Sequence, residues 1–226
     1  MKAPNMRWDA IFFDLDGTLV QTSPEIADAV NDTLRHFGWP AAAQAQVDLW
    51  IGHGTRELLI QALAQATGQS AEAVRLGPVL QQALPVFDGH YQARCGTRSQ
   101  LYPQVRETLG ALRLAGCNLA VVTNKEGRYT DTVLKAHQLH SCFDLVVSGD
   151  TFPQKKPTPV GINHGLALWQ VAPARALFVG DSSIDAATAR NAGIAVWLLP
   201  YGYNMGEPVQ ACQSDRVIAD VSELLN

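Results

Sequence analysis

Two hydrophobic rhythms run along the chain. Residues 8–13 form a short run rich in aromatic and apolar side chains that stops abruptly at Asp14-Leu15-Asp16-Gly17-Thr18, the pattern of a buried strand running into a polar turn. From Ser23 the period becomes helical: Ile26, Val30, Leu34 and Phe37 recur, with Ser23 read as N-cap, Pro24 as first helical residue and Gly38 as stop. Leu58, Leu59, Ala62, Leu63 and Ala66 mark a second helix behind the loop Gly52-His53-Gly54. A third spans 71–91, where Pro78 and Pro85 are expected to kink or divide it. No convincing strand interrupts this region. After Tyr102-Pro103 the rhythm alternates: apolar runs at 119–122, 145–147, 176–179 and 195–199 read as strands. Helices begin at Val105 (stopped by Gly116) and cover 129–137, 161–169 and 185–192, with a short strand at Val217-Ile218 and a terminal helix to follow. Such alternation implies a parallel sheet covered on both faces, to which the first strand also belongs. The expected fold class is therefore α/β, a parallel sheet interrupted by a helical insert.

Composition narrows the picture. The 226 residues are 47% hydrophobic and 17% charged, which excludes a disordered chain. A net charge of -4 gives no reason to expect a nucleic-acid partner, since phosphate backbones reward a basic face. Cys95, Cys117, Cys142 and Cys212 are scattered and match neither zinc-site nor disulfide spacing. The start of the chain is too polar for a secretory signal, and no run approaches the ~20 apolar residues that span a bilayer. A cytoplasmic protein without a membrane partner is expected; oligomeric state is not legible.

Ligands of open α/β sheets gather outside the carboxyl ends of the strands, and the polar residues sort onto that edge. Asp14 and Asp16 follow the first strand, Thr123 and Asn124 follow 119–122, Lys156 lies in the loop after 145–147, and Asp181 follows 176–179, with Asp185 one turn later. Residues two apart at a strand end face the same way. One carboxylate of the Asp14/Asp16 pair can therefore attack phosphorus to form an aspartyl-phosphate while the other moves protons. Asp-Gly is also a common turn dipeptide. Thr123 and Asn124 offer a hydroxyl and main-chain N–H groups to phosphate oxygens, although polar residues often end strands. Lys156 supplies a positive charge; Lys155 competes with it, but Pro157 and Pro159 stiffen the chain beyond Lys156. Four acids against one lysine call for a hard cation, and magnesium suits carboxylates plus a phosphate oxygen. Asp185 alternatively serves only the dipole of its helix.

In their order and spacing, these stations resemble the haloacid dehalogenase superfamily: Asp14-Leu15-Asp16-Gly17-Thr18, Thr123-Asn124, Lys156-Pro157, and Gly180-Asp181 with Asp185. Within it, Val121-Val122-Thr123-Asn124-Lys125, Ser148-Gly149-Asp150-Thr151, Gln154-Lys155-Lys156-Pro157, Phe178-Val179-Gly180-Asp181-Ser182 and Tyr201-Gly202-Tyr203-Asn204 are similar to the bacterial phosphoglycolate phosphatase branch. The resemblance implies a Rossmann-like core at 1–21 and 95–226 and a helical cap at 22–94. It implies a Mg2+-dependent phosphatase acting on a small phosphorylated metabolite. Asp14 becomes nucleophile and metal ligand, and Asp16 becomes acid/base, with its carbonyl on the metal. Thr123 and Asn124 hold the phosphoryl group, and Lys156 neutralises Asp14 and phosphate. Asp181 ligates the metal and Asp185 supports it. Gly52-His53-Gly54 matches a cap loop that reaches the site, although asparagine is frequent in the family where His53 stands. His53 and Arg56 become candidate contacts for a substrate carboxylate, or merely a glycine-flanked helix start and a surface arginine. A sugar-phosphate phosphatase or a phosphomutase would share the core motifs. Haloacid dehalogenation fits Asp16-Gly17 less well than phosphoryl chemistry does. A signalling module phosphorylated on aspartate would have no need of the helical insert or of Asp16.

Overall fold

A computed structural model describes residues 7–225. The reading of the first residues as lacking a secretory signal, and the outermost ends of the expected core segments, fall at least partly outside the described residues. The chain begins with β1 (Ala10–Phe13), buried along its whole length, as an unbroken apolar run requires of a strand inside a parallel sheet. In the tight turn that follows, the N–H groups of Leu19 and Val20 donate to the Leu15 carbonyl. The short β2 (Val20–Gln21) comes next, then α1 (Ser23–His36), α2 (Gln44–Asp48), α3 (Thr55–Thr67), α4 (Ala71–Leu76) and α5 (Pro78–Arg94). β3 (Gln100–Leu101) returns antiparallel to β2. Beyond it run α6 (Val105–Leu114), β4 (Asn118–Val122), α7 (Gly127–Ala136), β5 (Leu145–Val147), α8 (Val160–Trp169), β6 (Ala176–Gly180), α9 (Ser183–Ala192), β7 (Ala195–Leu198) and β8 (Arg216–Val217).

Six strands form one sheet in the order β5-β4-β1-β6-β7-β8, every neighbouring pair parallel. Strand order reverses at β1, whose neighbours are β4 and β6, and a crevice opens there at the carboxyl ends. Alternation along the strands sorts the core into two faces. Ile11, Phe13, Leu119, Val121, Leu177 and Val179 face one side, in a cluster that continues through Tyr129 and Val133 into Ile26, Leu59, Leu63 and Tyr91 of the helical excursion. Phe12, Ala120, Val122 and Phe178 face the other, against Ile162, Leu166 and Ala189. The result is an α/β, Rossmann-like sheet with a helical insertion between β2 and β3. Among the described residues no helix is long and apolar enough to cross a membrane.

Several local expectations need correcting. Thr22, not Ser23, is the N-cap of α1, and Ser23 is already helical; its hydroxyl is instead committed to Asp48. Pro78 does divide the third helical stretch, opening α5 after Gly77, but Pro85 does not: α5 runs through it as one element. A proline costs one N–H bond and crowds the preceding turn, and packing of Leu80, Ala83, Phe87 and Tyr91 into the core outweighs that cost. The two-residue ribbon β2–β3 and the five-residue α2 are too short to carry a period. The terminal helix is a 3-10 turn over Val221–Leu225. Phe12 is fully buried and packs against Trp169 with ring centroids 5.6 Å apart. Phe12→Ala should therefore lower stability by about 3–5 kcal/mol, read as a fall in the urea midpoint without change in slope.

Candidate active site

The site grows from the turn after β1. Asp14 continues the strand, its N–H donating to the Val179 carbonyl of β6. Gly17 bends the chain back with φ 87°, and a Cβ there would meet Asp181 Oδ2 at 2.4 Å; only glycine tolerates both conditions. Thr18 Oγ1 donates to Asp181 Oδ1 (2.6 Å) and the Tyr203 N–H to Asp181 Oδ2 (2.6 Å), so the β1 turn and the loop after β7 jointly orient Asp181. Gly202 leaves the space: a Cβ there would sit 2.2 Å from Asp181 Oδ2.

Asp185 opens α9 in a capping box with Ser182. Its Oδ2 accepts from the N–H groups of Asp181 and Ser182 (both 3.1 Å) and its Oδ1 from Lys156 Nζ at 2.7 Å. Asp185 thus serves the start of its helix with one oxygen and Lys156 with the other. Lys156 is buried, whereas Lys155 is exposed and reaches the His53 carbonyl. Lys156 Nζ also lies 2.8 Å from Asp14 Oδ1, a close ion pair rather than an aligned hydrogen bond. Burial alone would lower the lysine pKa, but Asp14 and Asp185 outweigh it and hold Lys156 above its ordinary value.

Single oxygens of Asp14, Asp181 and Asp185 lie within 4.8 Å of one another. Burial pushes Asp14 up to about 6; Lys156 opposes the rise, and the charges of Asp185 and Asp16 add to it. Burial raises Asp181 well above the usual carboxylate range, again reinforced by Asp185 and Asp14. Among the described residues Asp14 Oδ1 has the ion pair with Lys156 but no aligned hydrogen bond. Three buried carboxylates this close together, with burial holding Asp14 and Asp181 above their ordinary pKa, have the donor chemistry of a divalent-cation site.

Thr123 and Asn124, at the end of β4, complete the rim. Asn124 Nδ2 donates to the carbonyls of Gly52 (3.0 Å) and Lys156 (3.2 Å), tying the loop before α3 to the core. A cavity beside Asp14 is lined by Asp16, Thr123, Asn124 and Asp181 from the sheet edge and by Ile51, Gly52, Thr55 and Leu58 from the insert. His53 and Arg56 are exposed and do not line it; Lys156 and Asp185 do not line it either, but are buried and reach it through the ion pair of Lys156 with Asp14.

The family model of haloacid dehalogenase-like hydrolases matches residues 11–199. The chain belongs to that family. It is 41% identical over 217 residues, covering 96% of this chain and 94% of the relative, to a Vibrio vulnificus protein named phosphoglycolate phosphatase. A Vibrio cholerae protein of the same name is 41% identical over 216 residues, covering 95% and 94%. A crystal structure described as a predicted phosphoglycolate phosphatase from Haemophilus somnus superimposes with TM-score 0.90 at 33% identity, covering 97% of each chain.

In this haloacid dehalogenase-like hydrolase, one charged residue at the cavity was assigned no part by the sequence reading. Lys125 is buried, its Nζ 2.9 Å from the Asp16 carboxylate and 2.6 Å from Tyr91 Oη. Four carboxylates therefore face two lysines, not one. The available signal was the place of Lys125 directly after Thr123-Asn124 on the ligand-bearing edge. Removing one partner of a buried ion cluster leaves uncompensated charge, worth about 3–5 kcal/mol. Lys156→Met should lower unfolding stability by that order at neutral pH, measured by urea titration without added metal. An unchanged midpoint would show that the lysine does not compensate Asp14 and Asp185.

Proposed function

We propose that the protein is a Mg2+-dependent phosphomonoester hydrolase working through an aspartyl-phosphate, with 2-phosphoglycolate as substrate and residues 22–94 as its cap. The observation that carries this reading is Asp14, held at the β1 end against Lys156 and opening on the same cavity as Asp16 and Asp181, in a chain 41% identical to proteins named phosphoglycolate phosphatase. The insert supplies the apolar wall of that cavity, which supports its role in excluding water during phosphoryl transfer.

In the proposed first step a carboxylate oxygen of Asp14 attacks phosphorus and the phosphorus–oxygen bond to the alcohol breaks. The proton on Asp16 passes to the departing oxygen. Lys156 balances the charge of Asp14 and of the phosphoryl oxygens, while the Thr123 hydroxyl and the Asn124 main chain hold them. In the second step Asp16 takes a proton from water, the oxygen of that water bonds to phosphorus, and the bond to Asp14 breaks. Inorganic phosphate leaves, and both carboxyl groups return to their starting states. Asp14, the Asp16 carbonyl and Asp181 would hold Mg2+, with Asp185 behind them; when bound, the ion supplies positive charge that orients the phosphate and screens it from the carboxylates. Neither His53 nor Arg56 is needed for these steps, and the main chain of Gly52 and Gly54 is nearer the cavity.

Phosphate release from a panel of small phosphomonoesters tests the reading. With Mg2+, 2-phosphoglycolate should be turned over preferentially, and Asp14→Asn should abolish turnover while the circular dichroism spectrum is unchanged. Preference for a sugar phosphate would retain the chemistry and overturn the substrate; turnover by Asp14→Asn would overturn the nucleophile. Chelation should stop turnover and Mg2+ should restore it. Activity that survives thorough chelation would remove the metal from the reading.

A further inference from the structure

Lys125 is out of place as a surface lysine and outside the phosphate-binding set. Its side chain is 1% exposed, and burying an ammonium group without partners is prohibitively costly. The partners come from three parts of the chain. Asp16 lies in the turn after β1, and Nζ is 2.9 Å from its carboxylate oxygens. Tyr91 lies on α5 of the insert, with its Oη 2.6 Å from Nζ. Lys125 itself sits between β4 and α7, where the Thr123 hydroxyl accepts from its N–H at 3.3 Å. Thr22 holds the same carboxylate: its Oγ1 donates to Oδ1 at 2.6 Å, and Thr22 is the N-cap of α1. Asp16 is thus clamped between the first residue of the insert and a lysine braced by the last helix of the insert.

Tyr91 is rigid enough to act as the brace. It is fully buried, packed at a tilt against Tyr129 with ring centroids 4.3 Å apart and against Phe87 at 5.5 Å. A buried phenol with a single strong partner fixes that partner in turn. Glu25, also fully buried, accepts from the N–H groups of Arg98 (3.2 Å) and Ser99 (2.9 Å), tying the outgoing and returning ends of the insert together beside this cluster.

We propose that Lys125, braced by Tyr91, is a positioning residue for Asp16 and aims the Asp16 carboxyl at the leaving oxygen only when α5 is packed against the core. The proposal rests on the reading of Asp16 as acid/base. Lys125 touches no reacting atom in it; its contribution passes through the geometry of Asp16, where small displacements from the productive geometry carry large rate penalties.

The test uses leaving groups. The quantity kcat/KM reports steps up to the first irreversible one, the transfer to Asp14, in which the departing oxygen needs a proton only if it is a poor leaving group. It is measured for wild type, Lys125→Met, Lys125→Arg, Tyr91→Phe and Asp16→Asn on 2-phosphoglycolate, an alkyl ester, and on p-nitrophenyl phosphate, whose phenolate leaves unaided. General acid catalysis is worth about 10²–10⁴-fold. Lys125→Met should therefore lose about 100-fold on 2-phosphoglycolate and no more than about 3-fold on p-nitrophenyl phosphate. Tyr91→Phe, which keeps the packed ring, should show the same asymmetry in weaker form, and Lys125→Arg should recover part of it. Asp16→Asn separates the two layers of the argument. If it shows no asymmetry, the acid/base reading fails. If it does while Lys125→Met and Tyr91→Phe lose equally on both esters, the positioning role is overturned. A rise confined to KM for 2-phosphoglycolate would likewise overturn it, making Lys125 a contact for the substrate carboxylate.

Discussion

Four carboxylates and two ammonium groups share the carboxyl edge of one sheet, and most of them are withdrawn from water. Charges in such a place persist only if each has a partner, and the rest of the architecture can be understood as meeting that demand. Lys156 answers Asp14 and Asp185 together. Lys125 answers Asp16. Among the described residues Asp181 has no lysine of its own and is held by a hydroxyl and a main-chain N–H. The remaining excess of negative charge lies where an anionic substrate would have to approach, which is the electrostatic case for a cation at the same point.

The glycines and loops of the edge follow from the same demand. Gly17 and Gly202 approach Asp181 from opposite ends of the chain because no side chain would fit beside a carboxylate held that closely. Asp185 spends one oxygen on its own helix and the other on Lys156, so the start of α9 and the charge balance of the site are one piece of structure. Disturbing either should be felt by the other.

The parallel strands were legible because each is a run of apolar residues bounded by turn chemistry; 145–147 matches β5 residue for residue. Asp14, Asp16, Thr123, Asn124 and Asp181 were legible as strand-end residues, with Asp185 one helical turn later, because the carboxyl edge of an α/β sheet is where such residues collect. Three things were hidden. Short elements such as α2 and the β2–β3 ribbon have no period to detect. The continuity of α5 through Pro85 depends on tertiary packing, which overrides local preference. The pairing of Lys125 with Asp16 spans 109 residues and joins two loops whose proximity appears only once β4 is beside β1. The loop around His53 does lie beside the cavity, but Gly52 and Gly54 line it while His53 is exposed.

The β2–β3 ribbon has a consequence for how such a protein can change. Paired strands lie about 5 Å apart, so the helical excursion leaves and re-enters the sheet through what is nearly a single point. Topologically it is a pendant: it can be lengthened, shortened or replaced without altering the register of β1 with β4 and β6, where the reactive groups are anchored. On the proposed function, reaction chemistry and substrate choice are thereby housed in separately heritable parts. The contacts of Tyr91 and Thr22 with the Lys125–Asp16 pair are the toll on that freedom, because a replacement lacking them would keep Asp14 in place but lose the contacts that hold Lys125 and Asp16.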